Sequence, residues 1–180
     1  MTDQTDFVIR PCGKPDITAM VDIINEAAKA YHGAIPVDCW HEPYMSESEL
    51  RSEIAAGVRF VGCEVDGELA GVMGIQSVRN VELIRHAYVR RNHQGSGVGT
   101  LLIRHLCATF SGQVLVGTWT AAQWAIAFYE RNGFTLIAGE QKDRLLRTYW
   151  SISDRQVETS IVLAKPPLDD RQADDLVSSA

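Results

Sequence analysis

The spacing of apolar positions changes period many times along this chain. Residues 7–10 read as a short strand. Pro15 and Asp16 then open a helix, with Asp16 at its N-cap. Its apolar stripe is Ile17, Met20, Val21, Ile24, Ala27, Ala28 and Tyr31, at helical spacing. Residues 33–45 form a loop rich in aromatic, His and Pro residues. Ser46 and Glu49 make a capping box for a second helix that runs toward Gly57. Three strands follow in series: residues 58–65, 69–78 and 81–89. Asp66-Gly67 joins the first two, a strong hairpin signal, and Arg79-Asn80 joins the next two. A Gly-rich loop opens a third helix with the stripe Val98, Leu101, Leu102, His105, Leu106 and Thr109. The remaining elements are a strand at 114–118, a helix at 122–132 ended by Gly133, a strand at 134–138, a helix at 142–150 and a strand at 158–164. This order predicts a mixed α/β sheet with helices on each face. Beyond residue 165 the chain is polar and acidic and offers little to bury. It predicts a domain over 1–165 and a disordered tail over 166–180.

Composition narrows the class. A chain of 180 residues, 46% apolar and 22% charged, fits one soluble domain with one core. A net charge of −6 argues against nucleic acid as a partner and mildly favours a cationic small substrate. No apolar run approaches the roughly 20 residues of a membrane helix. Residues 1–6 are polar and acidic, unlike a signal peptide, so the expectation is a cytoplasmic protein. Cys12, Cys39, Cys63 and Cys107 form no CxxC pair, as expected of reduced thiols. His32, His41, His86, His93 and His105 share no zinc-like spacing, so no metal site is expected.

The most informative stretch is Gln94-Gly95-Ser96-Gly97-Val98-Gly99-Thr100, between a strand and a helix. Glycines let backbone N–H groups approach an anion, and a helix N-terminus adds partial positive charge. A nucleotide P-loop would need Lys-Ser/Thr after the last Gly, where Thr100-Leu101 stand. A dinucleotide fingerprint would need Gly where Thr100 stands, and a parallel βαβ unit. A purely structural turn and an acyl-coenzyme A loop are the other two readings.

Gln94-x-x-Gly97-x-Gly99 resembles the pyrophosphate motif of the GNAT superfamily of acyl-coenzyme A-dependent N-acetyltransferases. Ala87-Tyr88-Val89 resembles the end of that family's fourth strand. The helix Ala125-Ile126-Ala127-Phe128-Tyr129-Glu130-Arg131-Asn132 with Gly133-Phe134 resembles its second signature. The likeness runs from about residue 7 to 164. It implies a mostly antiparallel, seven-stranded mixed sheet with splayed central strands and about five helices. It also implies acetyl-coenzyme A as acetyl donor. The coenzyme would contact the backbone at Tyr88 and Val89, the loop from Gln94 through Gly95, Ser96, Gly97, Val98 and Gly99 to Thr100, and the Ala122-Gln123 pair. Many members carry Asn where this chain has Ala122, so Gln123 or a water would make that contact.

The same resemblance assigns Tyr129 as the general acid for the departing thiolate. The attacking amine must lose a proton, because an alkylammonium has a pKa near 10.4. Glu82 is the leading base and His86 the alternative. The two lie four apart and so share one face of a regular strand, unless a bulge resets it. Tyr31, Trp40, Glu42 and Tyr44 flank or fill the loop expected to line the acceptor pocket. Cys39 carries no sign of activation, which favours direct transfer over a covalent intermediate. Residues 144–150 extend the pocket or form a homodimer contact. The function that follows is acetyl transfer to a primary amine, most simply of a small molecule. The rival is a non-catalytic acyl-coenzyme A sensor or partner-binding module on the same fold.

Overall fold

The computed structural model describes residues 6–180. The expectation drawn from the polar start of the chain lies, apart from Asp6, outside these residues. Seven strands and seven α-helices are present among them. In chain order they are β1 (Phe7–Pro11), α1 (Ile17–Ala28), α2 (Glu47–Ala55), β2 (Arg59–Val65), β3 (Glu68–Val78), β4 (Val81–Val89) and α3 (Val98–Ala108). Then come β5 (Val114–Trp119), α4 (Gln123–Arg131), β6 (Thr135–Ile137), α5 (Gly139–Tyr149), α6 (Asp154–Thr159), β7 (Ser160–Lys165) and α7 (Asp170–Ser178). One sheet runs in the order β1-β2-β3-β4-β5-β7-β6. The pairs β1–β2, β2–β3, β5–β7 and β6–β7 are antiparallel, while β4–β5 is parallel.

The chain divides into two compact units. The first takes the chain up to Ala30, His41–Gln76 and Arg85–Thr109. The second takes Tyr31–Trp40, Ser77–Ile84 and Phe110–Ala180.

In the first unit α1 buries Ile17, Met20, Ile23 and Ile24 with Leu50, Val58, Phe60 and Val72. Asp16 stands at the N-cap of α1 but does not cap it. Its carboxylate is claimed instead by Arg10 at 2.8 Å and by the Gly13 N–H at 2.7 Å, which lower its pKa. The α2 capping box forms as expected: Ser46 Oγ accepts from the Glu49 N–H, and Glu49 accepts from the Ser46 N–H at 2.7 Å. Asp66 and Gly67 both take positive φ, 51° and 85°, as a two-residue hairpin turn requires. The buried face of α3 is rotated from the predicted stripe. It comprises Val98, Leu102, Ile103 and Leu106, while Leu101 and His105 are exposed. Gly71 supplies the reason: a Cβ there would sit 2.7 Å from Val98 Cγ1. Val98 therefore rests against bare β3 backbone, which sets the rotation of the helix.

The second unit packs Leu83, Leu115, Leu145, Leu146, Tyr149, Val157, Val162 and Ala173 into one core. Of residues 144–150, expected to extend a pocket or meet a second copy, 144–149 belong to α5 and Trp150 is its C-cap. Their apolar members Leu145, Leu146 and Tyr149 are buried in this core. The capping residue Ser153 starts α6, so β7 begins at Ser160 and not at 158.

Within residues 166–180, expected to be a disordered tail, Asp170–Ser178 form the helix α7. Asp169 caps it by accepting from the Gln172 N–H at 2.7 Å. Ala173 is 2% exposed, with Leu176 and Val177 packed beside it. The Leu176 carbonyl accepts from the Tyr149 hydroxyl at 3.0 Å and from Asn80 at 3.1 Å, and Arg144 pairs with Asp174. Three apolar positions at i, i+3, i+4 make one narrow stripe among acids, which reads as polar sequence until a docking face is known.

Candidate functional site

In the first unit, β4 leads into the Gly-rich loop and α3. Gly95 and Gly97 have φ of 79° and 97°, and a Cβ added at either would meet nothing within 4 Å. The loop thus turns through conformations that favour glycine and leaves open space over its backbone. Gln94 Nε2 donates to the Val89 carbonyl at 3.2 Å, and Ser96 Oγ donates to the His93 carbonyl at 2.6 Å. Leu101 N–H bonds back to Gly97 O at 2.9 Å. The N–H groups of Val98, Gly99 and Thr100, in the first turn, have no acceptor within the helix. Bare backbone donors at a helix N-terminus fit a diphosphate.

Glu26 steadies the entry to this loop. It accepts from the Arg91 N–H at 2.8 Å and from Arg90 Nη1 at 3.0 Å, and these bonds lower its carboxyl pKa. Nothing in the local sequence pattern marked Glu26.

Strand β4 is irregular where the base was sought. His86 has a φ of 50°, a left-handed conformation in mid-strand. Regular alternation therefore stops there, and the shared face expected for Glu82 and His86 does not carry through. His86 Nε2 lies 3.0 Å from Glu53 Oε2, and the ring stacks on Phe60 at 5.9 Å. Arg85 donates to the same Glu53 oxygen at 2.8 Å and to Gln76 at 2.6 Å. The His86 hydrogen bond and the Arg85 charge lower the Glu53 pKa. Tyr88 packs edge-on to Tyr44, with ring centroids 6.4 Å apart, and Tyr44 stacks on His41. Glu42 is exposed in the same loop.

In the second unit, β4 and β5 pair over Glu82–Ile84 and Val114–Val116. Glu82 lies in this paired stretch and accepts from Ser77 Oγ at 2.7 Å. Tyr129 on α4 is 6% exposed, edge-on to Phe128 at 5.1 Å and to Phe134 at 5.7 Å. Burial, with a smaller contribution from Tyr31, raises its pKa, so the phenol keeps its proton at neutral pH. Tyr31 in turn meets Trp124 at 5.6 Å, and Trp124 is 47% exposed. Sequence reasoning missed Trp124, whose polar and apolar neighbours gave no periodic signal. Trp40 lies edge-on to His32 at 5.2 Å. Ala122 is fully buried at the N-cap of α4. Gln123 turns back to the Thr120 carbonyl at 2.8 Å, closing its own loop.

Burial and Asp38 push the Cys39 thiol up, which leaves little thiolate to act as a nucleophile. Among the described residues no group of three or more His, Cys, Asp or Glu side chains is placed to hold a metal ion. No helix among them is long and apolar enough to cross a membrane.

Residues 24–148 match the family model of the acetyltransferase (GNAT) domain. Several solved structures share the fold. The PaiA N-acetyltransferase of Thermoplasma acidophilum, solved with coenzyme A, superposes with a TM-score of 0.65 at 15% identity, over 89% of this chain and 98% of its own. The ribosomal-protein-S18-alanine N-acetyltransferase of Escherichia coli gives 0.63 at 19% identity, over 88% and 92%. An IAA acetyltransferase of Bacillus cereus gives 0.60 at 22% identity, over 88% and 98%. No curated protein matches the sequence. The matched model spans well over half of the chain, across both the Gly-rich loop and Tyr129. The chain belongs to the GNAT family of acetyltransferases, enzymes that use acetyl-coenzyme A as the acetyl donor.

Proposed function

We propose that this enzyme acetylates the primary amine of a small molecule by direct attack on the thioester. The observation that carries the reading is Tyr129: a buried phenol, kept protonated, four residues before Gly133-Phe134. The amine nitrogen attacks the thioester carbonyl carbon, a C–N bond forms, the C–S bond breaks and the coenzyme leaves as a thiolate. Tyr129 lends that sulfur a hydrogen bond or proton, and a base takes the proton lost by nitrogen. The loop from Gln94 to Thr100 receives the pyrophosphate. Backbone at Tyr88 and Val89 receives the pantetheine arm, with an N–H there polarising the carbonyl.

For the base, His86 carries the better case. Glu82 sits within the paired part of β4 and is engaged by Ser77, whereas His86 marks the break in the strand. For the acceptor, Tyr31 and Trp124 offer aromatic faces to a cationic or aromatic amine.

Two measurements check this. Acetyl-coenzyme A at 100 times its Kd should add about 2.7 kcal/mol of stability, and ATP and NAD nothing. Gly97→Val should abolish that shift, because the added side chain fills the space over the loop. An equal shift with ATP would sink the assignment. Next, an amine panel should be followed by thiol release. Trp124→Ala should raise KM for the accepted amine about tenfold and leave coenzyme affinity within about twofold. Acetylation of peptide N-termini alone, with no small amine accepted, would overturn the small-molecule reading.

A further inference from the structure

Glu53 is outside every motif of the family resemblance, yet its carboxylate meets two consecutive residues of β4. A single oxygen, Oε2, receives Arg85 Nη2 at 2.8 Å and faces His86 Nε2 at 3.0 Å. Arg85 is itself tied down: its Nη1 donates to Gln76 Oε1 at 2.6 Å, and Gln76 Nε2 donates to the Ala56 carbonyl at 3.0 Å. The chain of bonds runs from the end of α2, through β3 and β4, back to Glu53 on α2. Arg85, Glu53 and His86 are partly buried, with side-chain exposures of 23%, 29% and 16%.

A second observation is independent of the first. His86 adopts a φ of 50° inside a strand. Such a conformation is uncommon for an L-residue and persists only where surrounding contacts hold it. Here the ring is clamped between the Phe60 face and the Glu53 carboxylate. Strain of this kind concentrates where a side chain must be aimed.

We propose that Glu53 is a positioning residue that fixes His86 as the general base of acetyl transfer. An ionised carboxylate can only accept, so it selects the His86 tautomer that carries hydrogen on Nε2. That leaves the lone pair on Nδ1 to take the proton from the acceptor amine. The His86 hydrogen bond and the Arg85 charge favour the ionised form of Glu53, and Arg85 fixes its direction. When the base takes its proton, the imidazolium forms next to a carboxylate that stabilises it. The inference rests on the amine-acetylation reading above.

The test has a substrate-free arm and a kinetic arm. Long-range ¹H–¹⁵N spectra of histidine-labelled protein, with His86 assigned through His86→Asn, should show hydrogen on Nε2 and none on Nδ1. Asn suits the assignment because it tolerates the left-handed backbone. Glu53→Gln should scramble the tautomer and lower kcat about 100-fold. The KM values of the accepted amine and of acetyl-coenzyme A should stay within about twofold. Glu53→Asp, which keeps the charge, should recover the tautomer and part of kcat. In a His86→Asn background, Glu53→Gln should lower kcat no further. Hydrogen on Nδ1 in the wild type, or an additive fall in the double variant, would overturn the proposal. A purely packing role would instead lower the melting temperature and leave the tautomer alone. Should the wild-type protein acetylate no amine at all, it is the amine-acetylation reading that falls.

Discussion

Tyr129→Phe should lower kcat by about 10²- to 10⁴-fold with little change in coenzyme affinity. That is the range by which a positioned acid accelerates a proton transfer. The substitution removes one oxygen and leaves the ring, so the edge-on contacts with Phe128 and Phe134 persist and the fold of α4 should not change. The loss should fall on kcat, because in the proposed mechanism the phenol meets charge only as sulfur departs. The raised pKa makes a further statement. An acid must hold its proton to work, and burial lifts Tyr129 above its ordinary 10.0. Ionisation of Tyr129 should therefore produce no alkaline fall in kcat below about pH 10. Unchanged turnover in Tyr129→Phe would make the residue a packing aromatic and nothing more.

Deletion of residues 166–180 should cost about 3–5 kcal/mol of stability, and the melting temperature should fall by about 10 °C. The deletion strips Leu168, Ala173, Leu176 and Val177 from the second unit's core and bares Leu145, Leu146 and Tyr149. It also removes the Leu176 carbonyl that Tyr149 and Asn80 share. Ala173→Asp is the sharper companion, since it buries a charge at a position 2% exposed while keeping the chain whole. Differential scanning calorimetry on both variants decides the matter. A truncated protein that melts with the full-length chain would mean that α7 contributes no net docking energy.

The elements that were legible in the sequence are those specified by neighbours in the chain. The Ser46–Glu49 box, the Asp66-Gly67 turn and the Gly133 stop each need only three or four consecutive residues, and each stands where it was read. The Gly-rich loop was legible for the same reason: its conformation demands glycine, so the requirement is written locally. What escaped depends on partners far along the chain. Glu53 meets His86 across 33 positions and Glu26 meets Arg91 across 65. Leu176 receives Asn80 across 96. Asp16 looked like a cap because the cap position is local, but Arg10 and Gly13 outcompeted the helix for its carboxylate. The face of α3 was misread by a small rotation because Gly71, two strands earlier in the chain, decides where Val98 can sit.

The two units interleave along the sequence in a lopsided way, with a consequence for synthesis. The first unit is complete once Thr109 has been made, whereas the second draws on Tyr31–Trp40 and Ser77–Ile84 and still needs everything to the C-terminus. A chain growing from its N-terminus can therefore settle the unit that carries the Gly-rich loop early. The stretches lent to the other half then wait, β4 holding Glu82–Ile84 ready as a template for β5. A ribosome stalled soon after Thr109 emerges should already display a protease-resistant core around α1 and α3. No stall before the last turns of α7 should protect α5.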